Sequence, residues 1–128
     1  MGKFPFVPKV AGWELTRACN MKCIHCGSSA GSPHPDELTV DEGLSLCDQL
    51  AGLGCEVLTL SGGEPLLHPA WHRYAKRLLD RGVRTYLITN GYLLEENVPR
   101  LLECGVKRIG VSLDGTPETH NFIRQNPH

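Results

Sequence analysis

Cys19, Cys23 and Cys26 stand with three and then two residues between them in the run Cys19-Asn20-Met21-Lys22-Cys23-Ile24-His25-Cys26. Thiolates this close in sequence reach one point only if the backbone wraps around it. The thiolate is the form that binds soft partners such as zinc or the irons of an iron-sulfur cluster. A closed structural zinc site, like an ordinary electron-transfer cluster, takes four ligands, and the run supplies three sulfurs. Either His34 fills the fourth position and makes a structural zinc module, or that position is kept open for another group. The cysteines by themselves leave both readings standing.

Further along, Gly62-Gly63-Glu64-Pro65 follows the apolar run Val57-Leu58-Thr59-Leu60. Two glycines let backbone groups approach a ligand closely, Glu64 is able to accept from an ammonium, and Pro65 stiffens the turn. Two more turns follow apolar runs: Thr89-Asn90-Gly91 and Ser112-Leu113-Asp114-Gly115. Asn-Gly and Asp-Gly pairs are also common turn formers, so Asn90 and Asp114 fit either a site or a plain turn.

Together the cysteine run and Gly62-Gly63-Glu64-Pro65 resemble the radical S-adenosylmethionine (radical SAM) superfamily, over most of the chain. Cys23-Ile24-His25-Cys26-Gly27-Ser28-Ser29-Ala30-Gly31, with Val111-Ser112-Leu113-Asp114-Gly115 later, looks most like the peptide-modifying, SPASM-type branch. The resemblance implies that Cys19, Cys23 and Cys26 hold three irons of a 4Fe-4S cluster, while the amine and carboxylate of S-adenosylmethionine chelate the fourth. It implies cofactor contacts for the loop Gly62, Gly63, Glu64 and Pro65, for Ser112, and for His25, which stands where the family commonly has an aromatic residue near the adenine. His25 as a pH-sensitive surface residue is the other reading of that position.

By the same resemblance, one electron from the reduced cluster cleaves the cofactor to methionine and a 5′-deoxyadenosyl radical, which takes hydrogen from a substrate, a peptide in that branch. A donor such as flavodoxin or ferredoxin would supply the electron. No residue is assigned as a catalytic acid or base, because the cleavage needs none. A non-catalytic fragment that binds the cluster and S-adenosylmethionine, and the zinc module using His34, are the alternatives.

The 128-residue chain, with 41% hydrophobic residues, has the size of one globular domain with a real core. A net charge of -1, from 13 basic and 14 acidic residues, gives no field to attract nucleic acid or a membrane surface. Residues 1–10 hold no apolar run long enough for a signal peptide, and no window reaches transmembrane length, so the expected location is the cytoplasm. In a reducing compartment clustered thiols bind metals more often than they form disulfides. Cys47, Cys55 and Cys104 lie apart from the cluster and read as structural.

The elements that must position these residues repeat. Glycines at 54, 82 and 105, 28 and 23 residues apart, each precede an apolar strand that ends in a polar turn with glycine. That spacing is close to one strand-helix unit of a parallel barrel, in which the chemistry lies at the carboxyl ends of the strands. Strands are expected at about 12–16, 56–60, 83–88 and 107–113. Thr39 and Glu42 form a capping box for a helix carrying Leu44, Cys47, Leu50 and Ala51 on one stripe. A second helix should bury Trp71, Tyr74, Ala75, Leu78 and Leu79, and a third Val98, Leu101 and Leu102.

The expected fold is therefore α/β: a partial parallel (β/α) barrel of TIM-like type, about four βα units of the six-unit core that the resemblance implies. Residues 1–128 would form one such core domain, N-terminal and truncated. A parallel sheet stopped at its fourth strand leaves an unpaired edge, which predicts self-association.

Overall fold

The computed structural model of the protein describes residues 6–125. Part of the N-terminal segment weighed above as a signal peptide, residues 1–5, lies outside the described residues. Four strands, β1 (Val10–Glu14), β2 (Val57–Ser61), β3 (Arg84–Thr89) and β4 (Ile109–Val111), form one sheet in the order β1-β2-β3-β4. All three pairings are parallel. Helices α1 (Val40–Gly52), α2 (Trp71–Asp80) and α3 (Leu94–Cys104) make the crossovers, and α4 (Pro117–Arg124) follows β4.

Strands laid down in sequential order wind in one direction, as in a barrel, rather than reversing as in a doubly wound sheet. The alternation along the strands shows which face is covered. Leu58 and Leu60 of β2 and Leu87 of β3 are fully buried in the cluster that holds Cys47, Trp71, Tyr74, Ala75 and Leu78 of the helices. On the opposite face Ile88 is 46% exposed, so that face stays open. Adjacent side chains of a strand point to opposite faces, and a covered outer and open inner face is the half-shell of a barrel.

The boundaries follow local chemistry. Glu42 N–H donates to Thr39 Oγ1 (3.3 Å) and Thr39 N–H to Glu42 Oε2 (2.8 Å), the expected capping box. Gly105 ends α3 in the left-handed region at φ 86°, where a side chain is strained. Two expectations need correction. The fourth strand spans three residues rather than seven; beyond Val111 a single Ser112 N–H to Thr89 carbonyl bond (3.0 Å) continues the pairing before the chain turns toward the site. On α3 the buried stripe is Asn97, Leu101 and Cys104, while Val98 and Leu102 are 43% and 75% exposed. Asn97 is admitted because its side-chain amide donates to the Leu93 carbonyl (2.8 Å), so the helix rotates a polar but satisfied residue inward.

Helices α1 and α2 touch through a close approach. Gly43 is buried on α1, and a Cβ there would fall 2.6 Å from the ring and hydroxyl of Tyr74. Tyr74 cannot step aside easily, since its ring packs on Trp13 (centroids 5.0 Å) and His68 (5.3 Å). Gly43→Ala is therefore expected to destabilise the fold by about 1–3 kcal/mol, the usual range for overpacking. A urea midpoint equal to that of the wild type would contradict the packing described.

Candidate functional site

The cysteine loop leaves the carboxyl end of β1 and returns at a neck. Cys19 N–H donates to the Gly31 carbonyl (3.0 Å) and Gly31 N–H to the Arg17 carbonyl (2.8 Å), closing the loop. Cys19, Cys23 and Cys26 are free thiols and all three face one cavity of about 250 Å³. Its other walls come from the ends of the remaining strands: Gly62 and Gly63 after β2, Thr89 and Asn90 at the end of β3, and Ser112 after β4. His25 and Arg124 complete the rim. Four loops scattered over some hundred residues thus meet at the carboxyl edge of the sheet, as the sequence pattern requires.

Each sulfur receives one hydrogen bond. Met21 N–H donates to Cys19 Sγ (3.5 Å), Ala30 N–H to Cys26 Sγ (3.4 Å), and the Arg124 guanidinium to Cys23 Sγ (3.8 Å). Burial pushes the Cys19 thiol up from its ordinary value, the Met21 N–H opposes this, and the negative charges of Cys23, Glu64 and Cys26 add to the rise. A trio of thiolates in a half-buried site repels itself unless a metal supplies positive charge, which is the electrostatic demand of a thiolate-ligated cluster. Three sulfurs with N–H donors and no competing carboxylate on the cavity wall fit such a cluster. His34 is not among the cavity residues; its Nδ1 accepts from the Asp36 N–H (3.1 Å). Among the described residues no three His, Cys, Asp or Glu side chains gather around one ion. A cube of four irons takes each thiolate on a separate iron, so its sulfurs stand further apart than the ligands of a single ion.

The Gly-Gly turn is fixed by its neighbours. Gly63 N–H donates to the Thr16 carbonyl and Glu64 N–H to the Ala18 carbonyl (both 2.8 Å), so the turn lies flat against the chain entering the cysteine loop. A Cβ on Gly63 would stand 2.3 Å from the Ala18 carbonyl oxygen, and one on Gly62, at φ 135°, 2.5 Å from that of Thr16. Glycine is required here by backbone contact within the protein as well as by any ligand.

Glu64 and Pro65 do not face the cavity. Glu64 is fully buried, with Oε1 accepting from Leu66 N–H (3.1 Å) and Thr89 Oγ1 (2.8 Å) and Oε2 from Asn90 N–H (2.8 Å). Pro65 opens the short 3-10 turn Pro65–Leu67 and is buried as well. Three internal donors bind the carboxylate for which the sequence suggests a ligand ammonium, and through them it braces the β2 loop against the β3 loop. His25 and Ser112 do line the cavity, and His25 Nε2 lies 3.3 Å from Asp114 Oδ1.

Two contributors, Asn20 and Arg124, escaped the sequence reading, and a third, Asp114, was left open by it. Asn20 Oδ1 accepts from Asn90 Nδ2 (2.7 Å), tying the cysteine loop to β3. Asp114, read as either a turn former or a site residue, gathers Arg124, His25 and His120 (Nδ1 at 3.5 Å) around one carboxylate. The Arg124 hydrogen bond holds that carboxyl below the usual carboxylate range. Arg124 follows Asp114 by ten residues on a different element, and no local spacing rule links them. Cys47, by contrast, is a core thiol as expected, fully buried and pushed up to about 11 by burial.

Glu64→Ala should cost about 3 kcal/mol or more in the protein without cofactors, because three buried donors lose their acceptor. Denaturation of that variant checks this; a stability unchanged from wild type would return Glu64 to a purely ligand-binding role.

Comparison with known proteins agrees with this geometry. The Radical SAM superfamily profile matches residues 13–128. The chain is 45% identical over 123 residues to the AdoMet-dependent heme synthase of Methanosarcina barkeri, covering 94% of this chain and 35% of that protein. It is 33% identical to the mycofactocin maturase MftC of Mycobacterium tuberculosis, covering 88% and 29%. The structure superposes on Streptococcus suis SuiB bound to S-adenosylmethionine with a TM-score of 0.77 at 19% identity, over 93% of this chain and 30% of SuiB. The chain spans about a third of the length of the curated relatives it matches. On the profile match, the cysteine loop and the parallel half-barrel that carries it, this chain belongs to the radical SAM superfamily, whose members are enzymes that bind a 4Fe-4S cluster and S-adenosylmethionine.

Proposed function

We propose that this chain is the cluster- and cofactor-binding part of a radical SAM enzyme. The observation that carries the reading is that the loops at the ends of all four strands bring Cys19, Cys23, Cys26, Gly62, Gly63 and Ser112 to one cavity. In it, Cys19, Cys23 and Cys26 would hold a 4Fe-4S cluster, with S-adenosylmethionine bound beside it. When bound, the cluster and S-adenosylmethionine would supply a 5′-deoxyadenosyl radical to take hydrogen from a substrate. The chain's own part is to bind and orient. The Gly62-Gly63 backbone borders the cavity with no side chain in the way, Ser112 offers a hydroxyl from the β4 loop, and the His25 imidazole and the Met21 thioether narrow the space open to water.

Six free thiols suit a reducing compartment, the cytoplasm, where flavodoxin or ferredoxin delivers electrons. Among the described residues no helix is long and apolar enough to cross a membrane. Two substrate classes have support from relatives: a peptide, as in SuiB bound to its precursor peptide SuiA, and a tetrapyrrole, favoured by 45% identity to a heme synthase. Beyond β3, β4 has no second strand partner among the described residues, and Ile109 and Val111 on it are exposed. An unpaired parallel edge of this kind associates, so the chain alone should sediment as a dimer or larger species; a well-folded monomer at all concentrations would count against it.

Anaerobic reconstitution with iron and sulfide should give about four irons per chain and a brown chromophore, which Cys23→Ala should abolish. Addition of S-adenosylmethionine should perturb the cluster spectrum, and reduction with dithionite should release 5′-deoxyadenosine. Stoichiometric tight zinc with no iron uptake would overturn the reading in favour of a zinc module. A full cluster that never yields 5′-deoxyadenosine would leave a binding fragment.

A further inference from the structure

Among the three sulfurs, Cys23 alone is approached by a charged donor, and that donor is held from behind. Arg124 ends α4 with its side chain only 14% exposed. Its Nε donates to Asp114 Oδ2 (2.5 Å) and its Nη2 to Asp114 Oδ1 (3.1 Å), a two-pronged pair that fixes the plane of the guanidinium. The remaining nitrogen, Nη1, faces Cys23 Sγ at 3.8 Å. One residue earlier the backbone makes a second tie, where Ile24 N–H donates to the Ile123 carbonyl (2.9 Å). His25 and His120 crowd the same Asp114 carboxylate, at 3.3 and 3.5 Å.

Resting on the radical SAM reading above, we propose that Arg124 is a positioning residue for the cluster: clamped by Asp114, it donates to the Cys23 thiolate, sets that sulfur's place and raises the reduction potential. The reduced state carries more negative charge on iron and sulfur than the oxidised one. A fixed cation donating to a ligand sulfur therefore favours reduction, whereas the backbone N–H groups at Cys19 and Cys26 add only dipoles. Lysine brings the charge without the fork, so it keeps part of the electrostatic effect and loses the grip on Asp114. The arrangement also makes the cysteine loop depend on the fourth βα unit, far downstream in the chain, because both ties come from the end of α4.

The test compares the full reconstituted chain with Arg124→Gln and Arg124→Lys. An EPR-monitored redox titration should place the Arg124→Gln cluster at a more negative potential than wild type, with Arg124→Lys between them. Iron loss to a chelator should be about tenfold faster in Arg124→Gln, the usual size of an outer-shell effect on metal retention. Equal potentials and equal iron loss in wild type and Arg124→Gln would overturn the inference. If Arg124→Gln takes up no cluster, Arg124→Lys decides: a potential shifted part of the way from wild type supports the role, and one identical to wild type removes it. Failure of the wild type itself to take up iron would instead overturn the radical SAM reading on which the role rests.

Discussion

The buried carboxylate of Glu64 holds the site's supports together. It is fully removed from solvent and binds donors from its own 3-10 turn and from the end of β3, so the second and third loops move as one body. A buried carboxylate is tolerated only when its oxygens are satisfied, and two of the three donors, Thr89 Oγ1 and Asn90 N–H, reach the carboxylate only when the sheet register is correct. The register itself aligns Leu60 of β2 with Leu87 of β3, which brings Glu64 and Thr89 to the same level at the strand ends. A slip in pairing would strand the carboxylate among apolar neighbours, so the polar knot and the hydrophobic ladder select the same alignment.

The other braces extend this body to the cysteine loop. The Gly62-Gly63 turn lies on the backbone of residues 16–18, Asn90 reaches Asn20, and α4 reaches Cys23 and Ile24. None of these ties is strong alone. Together they link the loop to every unit of the sheet, so the placement of three thiols is set by the whole half-barrel rather than by the short run that contains them. This matters for a site whose ligands bear like charge, since the polypeptide must hold them in place against their own repulsion.

The repeated glycine, apolar run and polar turn were enough to count the strands, make them parallel and put the loops on one edge. The reason is that a parallel strand covered by helices has a composition that few other elements share. Helix α1 was legible down to its capping box because Thr39 and Glu42 act over three residues. Helix α3 was not: Val98 and Leu102 fit the periodic stripe as well as Asn97 does, and only the Leu93 carbonyl, placed by the fold, makes an inward asparagine acceptable. The length of β4 was overread for a related reason, since apolar residues continue after the chain has turned away from the ladder.

What the sequence determined by itself was chemistry that is local: three sulfurs too few to close a metal's coordination, glycines where backbone must pass backbone, and strand ends bearing polar turns. What only the tertiary structure decided was which groups face the cavity and which hold it up. Glu64 belongs to the second kind and Ser112 to the first, although both stand in turns after apolar strands. Arg124 joins Cys23 across a hundred residues because α4 packs its last turn on the cysteine loop. Spacing rules describe contacts made within one element, whereas the direction of a side chain at a strand end depends on partners that arrive from other elements, and those partners are fixed only when the sheet has closed around them.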